Sequence, residues 1–229
     1  MSAPRTARAR ARAELTREIT DTARRQLATD GAAGLSLRAV ARELGMVSSA
    51  VYRYFPSRDD LLTTLIIEAY DAIGDAGEAA DDTARAAGAG PAPRFRAIAR
   101  AVRTWAQAHP HEYALIYGSP VPGYRAPTDT IASATRVQVR LLRLLVEHPP
   151  ATPPDHLPVM LTEDLLGVAA LVAGGLEPAV LARGMAVWNL LIGTVTLELF
   201  GHYANVVRDL DALFDATVDR MLELMGYDA

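Results

Sequence analysis

Residues 45–62 read GMVSSAVYRYFPSRDDLL. Tyr52, Tyr54 and Phe55 lie beside Arg53 and Arg58, and Pro56 follows at once, so any helix here is short. Helical spacing places it over 48–55, ahead of a fourth helix that opens at Ser57. The Ser57 hydroxyl is suited to cap that helix while Asp60, three residues on, reaches back in a capping box. Upstream, Ser36 is placed to cap a second helix carrying Leu37, Val40, Ala41 and Leu44, which Gly45 closes. Two short helices joined through Gly45, Met46 and Val47 predict a helix-turn-helix. The major groove is about 12 Å wide and admits a helix whose leading end is small or hydrogen-bonding. Ser48, Ser49 and Ala50 meet that demand. Tyr52, Tyr54 and Arg58 are placed to grip phosphate, which sets the register while base contacts specify sequence. The alternative for the two tyrosines is plain packing.

Outward from this stretch, a first helix is expected over 7–29, with Leu15, Ile19, Ala23 and Leu27 on one face and Gly31 stopping it. Residues 1–60 are read as the DNA-binding domain and 61–229 as a second domain. Residues 1–60 hold 11 Arg against 7 acids and residues 61–229 hold 12 Arg against 20, so a basic head stands on an acidic body. Residues 1–12, with Arg5, Arg8, Arg10 and Arg12, are read as a disordered basic arm that strengthens DNA binding, or else as a solvated tail.

The remainder has helical periodicity and no alternating run long enough for a sheet, so the fold class is all-α. Leu61, Leu62, Leu65, Ile66, Ala69, Tyr70 and Ile73 form the apolar face of the fourth helix. Residues 74–93, rich in Gly, Ala and acids, read as a helix end running into a loose connection. Phe95, Ile98, Val102 and Trp105 form a stripe opposite Arg96, Arg100 and Arg103. A short helix over 111–117, a turn-rich loop over 118–127, a helix over 128–147, a proline-broken stretch over 148–158 and a helix over 161–172 follow. Gly184 to Leu197 is uncharged for 14 residues, short of the roughly 18 to 20 of a membrane span. The last helix carries Leu210, Leu213, Phe214, Thr217, Met221 and Leu224 on one seam. Its Asp211, Asp215, Asp219 and Glu223 form an outer stripe expected to face water. Helices over about 178–203 and 207–225 together read as half of a four-helix homodimer seam.

The run from Gly34 to Leu62, GLSLRAVARELGMVSSAVYRYFPSRDDLL, resembles the DNA-binding domain of the tetracycline-repressor (TetR) family of bacterial regulators. The resemblance implies base contacts by Arg38, Ser48 and Ser49, and phosphate contacts by Ser36, Tyr52, Tyr54 and Arg58, with Val51 and Phe55 packing inward. Val47 departs from the pattern, standing where the family commonly places a Ser or Thr cap. Residues 109–124, HPHEYALIYGSPVPGY, and 186–203, AVWNLLIGTVTLELFGHY, resemble the C-terminal sensory domain of one TetR subgroup. The family implies a helical sensory body, a homodimer through the last two long helices and a small-molecule cavity between body helices.

The chain has no cysteine, which excludes disulfides, thiolate metal sites and cysteine nucleophiles. The N-terminus lacks a secretory pattern, and the reading is a cytoplasmic protein with no membrane partner. His109, His111, His148, His156 and His202 show no metal-ligand spacing, and no phosphate loop or nucleophile turn occurs, so neither a cofactor nor an enzyme is expected. For a partly apolar effector the candidates are Trp105, Tyr113, Tyr117, Met185, Trp188 and Asn189, and for each of them taken singly plain core packing is the stronger reading. The expected function is a ligand-released homodimeric repressor on a pseudo-palindromic operator. The competing classes are a nonspecific or architectural DNA-binding protein and a helical ligand carrier or enzyme.

Overall fold

A computed structural model of the chain describes residues 3–149, 156–172 and 176–227. Those residues form helices and loops with no strand. The helices are α1 (Ala3–Gly34), α2 (Leu37–Glu43), α3 (Ser48–Val51), α4 (Arg58–Ala86), α5 (Pro91–Ala108) and α6 (Pro110–Tyr117). After a 3-10 turn at Thr128–Thr130 come α7 (Ile131–Ala134), α8 (Arg136–Glu147), α9 (Val159–Val172), α10 (Pro178–Leu199) and α11 (Leu210–Met225). Within the proline-broken stretch, 150–155 lie outside the described residues.

The chain divides into two compact units, Met1–Tyr70 with His109–Ile131, and Asp71–Ala108 with Ala132–Ala229. The expected boundary after residue 60 therefore differs from the observed one. The α4 face of Leu61, Leu62 and Leu65 belongs to the head core together with Ile19, Ala23, Leu37, Val40, Val51 and Phe55. The head also takes in α6 and its loop, because Leu115, Val121 and Tyr124 pack on that core and the Tyr124 hydroxyl meets Thr63 Oγ1 at 2.8 Å. Arg24 pins the unit by bonding Asp21 and Glu68 at 2.5 Å and reaching Glu112 of α6 at 3.2 Å. A proximity set by side chains 44 and 88 residues away in sequence has no local periodic signature.

Residues 3–12 are not an arm but the first turns of α1. Alternating Ala and Arg are among the strongest helix formers, which accounts for the extension. Gly31, at φ 68°, breaks helical geometry at the expected place.

In the second unit, the expected loose connection is instead α4 continuing to Ala86, because its acids are anchored rather than solvated. Asp81 is fully buried and accepts from Arg94 at 2.7 Å and Arg140 at 2.5 Å, while Arg94 also bonds Glu147 at 2.7 Å. Gly74 allows the approach of α8, since a Cβ there would lie 2.9 Å from Arg136 Nε. The acidic stripe of α11 does not simply face water either. Asp211 meets Arg103 at 2.7 Å, Asp215 meets Arg100 at 2.9 Å, and Asp219 meets Arg96, an antiparallel ladder between α5 and α11. The expected α11 seam splits: Phe214 and Met221 are buried, whereas Leu224 is 47% exposed. The 22 residues of α10 are together long and apolar enough to cross a membrane, unlike the uncharged run alone. Its Val187, Leu191 and Val195 are buried, and it packs on α5, α8, α9 and α11.

Candidate nucleic-acid interface

The turn between α2 and α3 is built around Gly45 at φ 66°. Its amide donates to the Arg42 carbonyl (3.2 Å) and the Met46 amide donates to the Ala41 carbonyl (2.8 Å), the two bonds of a Schellman motif that only a residue tolerant of positive φ closes without strain. α3 then starts with Val47 in the capping position, φ −69° and ψ 138°, with no side-chain cap bond. Ser48 and Ser49 are its first residues, Ser49 exposed, and Val51 is buried. The helical hydrogen bonding loosens into turn from Tyr52, short of the expected end at Phe55. Val47→Thr is expected to raise stability by up to about 1 kcal/mol, measured by urea unfolding, because a hydroxyl there would satisfy an open amide.

Around α3 the candidate residues separate by role. Arg38 is exposed on α2, with no side-chain partner among the described residues. Ser36 occupies the α2 cap position, but its hydroxyl makes no capping bond, so the expected cap is absent. Tyr52 is 42% exposed. Tyr54 is half-buried against the head core, and the Arg12 guanidinium lies 5.0 Å above its ring, a cation–π contact that brings the basic end of α1 to the edge of α3. Arg58 is turned inward. Its Nε donates to the Leu35 carbonyl (3.1 Å) and its Nη2 to the Ala32 carbonyl (2.7 Å), so it ties the end of α1 to the start of α4. The Ser57 hydroxyl accepts from the Asp60 amide (3.1 Å) and donates to Asp60 Oδ2 (2.7 Å). This is a cap in which the carboxylate takes the hydroxyl rather than a backbone amide. Arg12, expected in a basic arm, instead reaches this surface from α1, whose Arg-Ala alternation makes the segment helical.

Tyr113 and Tyr117 belong to the head unit, where their rings lie 5.1 Å apart and Tyr70 meets Tyr117 edge-on at 5.8 Å. Burial pushes the Tyr117 phenol well above its ordinary range, with Tyr70 and Tyr113 adding to the rise. Burial likewise raises Tyr70, whose hydroxyl donates to the Ile116 carbonyl at 3.2 Å. Trp105 is a core residue of α5, 7% exposed. Met185, Trp188 and Asn189 line a partly open pocket of about 180 Å³ between α8 and α10 with Gln138, Leu141 and Leu142, with Met185 and Asn189 exposed at its mouth. Gln138 was not anticipated. It is the polar interruption in an α8 face otherwise made of Val137, Leu141, Leu144 and Leu145. Among the described residues no three His, Asp or Glu side chains gather as metal ligands.

A helix-turn-helix head with an exposed recognition surface, carried with a separate helical body, defines a DNA-binding transcriptional regulator. Residues 19–65 match the family model for bacterial regulatory proteins of the tetR family, and residues 95–221 match that for the tetracyclin repressor-like C-terminal domain. The HTH-type transcriptional regulators Rv1816 of Mycobacterium tuberculosis and Mb1846 of Mycobacterium bovis are each 41% identical over 223 residues, covering 94% of this chain and 94% of theirs. The crystal structure of SCO4313 superposes with a TM-score of 0.78 at 34% identity, covering 93% of this chain and 98% of that one. The TetR-family regulator PfmR of Thermus thermophilus shares the fold, with a TM-score of 0.56 at 20% identity over 90% of this chain and 97% of that one. The chain belongs to the TetR family of transcriptional regulators.

Proposed function

We propose that the protein is a ligand-responsive homodimeric repressor of the cytoplasm, whose paired α3 helices read two half-sites of a pseudo-palindromic operator in the major groove. The observation that carries this reading is the surface at the start of α3. Ser48 and Ser49 stand at its leading end, Arg38 is exposed on the preceding helix α2, and Val51 and Phe55 anchor the segment in the head core. Arg38, Ser48 and Ser49 contact bases; Ser36, Tyr52 and Tyr54 contact phosphate. Arg58, engaged by the carbonyls of Ala32 and Leu35, serves the interface by holding that surface in place.

The dimer reading is supported by an apolar stripe on α10, Ala186, Leu190, Gly193 and Leu197, of which Leu190 and Leu197 are 42% and 40% exposed, and by exposed Leu224 on α11. Contiguous exposed apolar faces mark sites of association, and a second copy of the chain is the occupant proposed for this one. A small molecule held by the body in a state with wrongly spaced heads weakens DNA binding by the same coupling free energy, typically ~1 to 3 kcal/mol. Genomic DNA captured by the full chain, with and without added cell extract, tests this directly. One enriched palindromic sequence, released by extract, is the expected result; capture without sequence preference would make the protein an architectural DNA binder instead.

The basic end of α1 adds sequence-independent affinity. Deleting residues 1–12 is expected to flatten the plot of log affinity against log salt by about 0.9 for each arginine that neutralises a phosphate. An unchanged slope would reduce that segment to a solvated helix end.

A further inference from the structure

Among the described residues of the head unit, Val47 is the most exposed large apolar side chain, at 70%. An isolated exposed valine is ordinary on a protein surface, but this one stands immediately before α3. Met46, one residue earlier, packs against the head core, whereas Val47, in extended backbone at φ −69° and ψ 138°, stands away from it. Ser49 is exposed at the same end of α3, and Val51 is fully buried. The outward surface there begins with two valine methyls and continues in sequence with serine hydroxyls.

Valine is a poor choice at this point for the fold. A Ser or Thr hydroxyl would bond an amide of the first turn, and α3 has no side-chain cap. Packing does not offset that loss, because the side chain stays 70% exposed. The family pattern places a capping hydroxyl here, so base reading is not the role that the pattern gives this position. Neither local structure nor packing accounts for a branched apolar side chain.

The major groove supplies an account. It displays hydrogen-bonding edges on every base and one apolar group, the C5 methyl of thymine. The Val47 side chain has no donor or acceptor. Set over cytosine N4 or guanine O6 it would strip water from a polar group and offer no bond in exchange. Set over a thymine methyl it buries two apolar surfaces against each other. Arg38, Ser48 and Ser49 end in hydrogen-bonding groups, and Val47 adds the readout they lack. We infer that Val47 is a specificity-determining residue whose methyls contact the C5 methyl of one thymine in each half-site. The inference rests on the reading of α3 as the base-contacting helix, which it deepens by assigning one base and the apolar contact that selects it. Stability and specificity then pull in opposite directions at residue 47, and the missing cap is the local cost of the contact.

The test uses the full-length protein and the operator recovered by genomic capture, with each thymine replaced in turn by deoxyuridine. That replacement removes the methyl and leaves the hydrogen-bonding edge intact. In gel-shift titrations at least one replacement in each half-site is expected to weaken binding by about 4-fold, the equivalent of one buried methyl group. Val47→Ser should bind thymine and deoxyuridine equally at that position. Its urea midpoint should stay at or above that of the natural protein, since serine supplies the cap. With the same base pair changed to cytosine and guanine, 5-methylcytosine should bind the natural protein better than cytosine by a similar factor, and Val47→Ser should not distinguish them. An operator in which no thymine is sensitive to deoxyuridine overturns the assignment. So does a deoxyuridine penalty that Val47→Ser leaves undiminished, because another residue would then read the methyl. Either result leaves operator recognition by α3 standing on the capture itself, whereas capture without sequence preference overturns that reading and this inference together.

Discussion

Asp81→Ala is expected to destabilise the protein by about 3–5 kcal/mol, because it removes one partner of a buried charge pair and leaves the other in place. The Asp81 carboxylate has no exposed surface, and its main partner Arg94 is 5% exposed on its side chain. Arg94 donates to it through two nitrogens, Nε at 2.7 Å and Nη2 at 3.0 Å, and Arg140 adds a third bond. After the substitution Arg94 keeps only Glu147, and Arg140 keeps Asp82. Urea unfolding of Asp81→Ala gives the cost. An Asp81→Leu, Arg94→Met double variant should recover much of it, since apolar replacement of a whole buried pair is often neutral or favourable.

The same residue sets an acid limit on stability. Burial pushes the Asp81 carboxyl upward, and the bonds and charges of Arg94 and Arg140 more than reverse this, leaving it below its ordinary value. Glu147 is lowered in the same direction, chiefly by its bond from Arg94. A carboxylate depressed in the folded state contributes stability that is present above its unfolded pKa, about 4, and is lost as pH falls through the lower folded value. Unfolding midpoints should therefore be insensitive to Asp81 titration between pH 5 and 8, roughly, and fall steeply below about pH 4. Asp81→Ala should show a shallower fall.

The second large effect falls on DNA. Arg38→Ala is expected to cost about 1–3 kcal/mol in operator binding, a loss of roughly 5- to 150-fold, with relaxed preference at one base pair of each half-site. Arg38 is exposed and without a side-chain partner among the described residues, so its removal should leave unfolding within about 0.5 kcal/mol of the natural protein. Tyr52→Phe makes the contrast. Loss of a phosphate-directed hydroxyl should weaken binding nearly uniformly across sequences. Gel-shift titrations against the operator and single-position variants separate the two patterns.

The local grammar of the head was readable because its signals are short-range. Gly45 demanded positive φ, and the four-residue steps of Ile19, Ala23 and Leu27 gave a buried face. Elsewhere polar residues misled, since composition does not say what a charge meets. Asp81 and Asp75 read as linker until α8 supplied Arg140 and Arg136, and Asp211, Asp215 and Asp219 read as a solvated stripe until α5 supplied three arginines. Each pairing spans 58 residues or more, beyond any periodic window. Arg58 shows contacts that its motif did not announce: the end of α1, 26 residues back, supplies carbonyls to its guanidinium. Among the effector candidates, aromatic character alone did not single out Trp188, which lines a pocket with Met185 and Asn189.

The central claim, that two α3 helices of a dimer read paired half-sites, is tested most directly by inserting five base pairs between the half-sites of the captured operator. Half a helical turn places the second half-site on the far side of the duplex, so a rigidly spaced pair keeps only one specific contact surface. Affinity is predicted to fall by about 100-fold or more, toward the nonspecific level, while a ten-base-pair insertion restores the facing but not the spacing and recovers little. Equal affinity for the natural and five-base-pair-inserted operators would contradict the account.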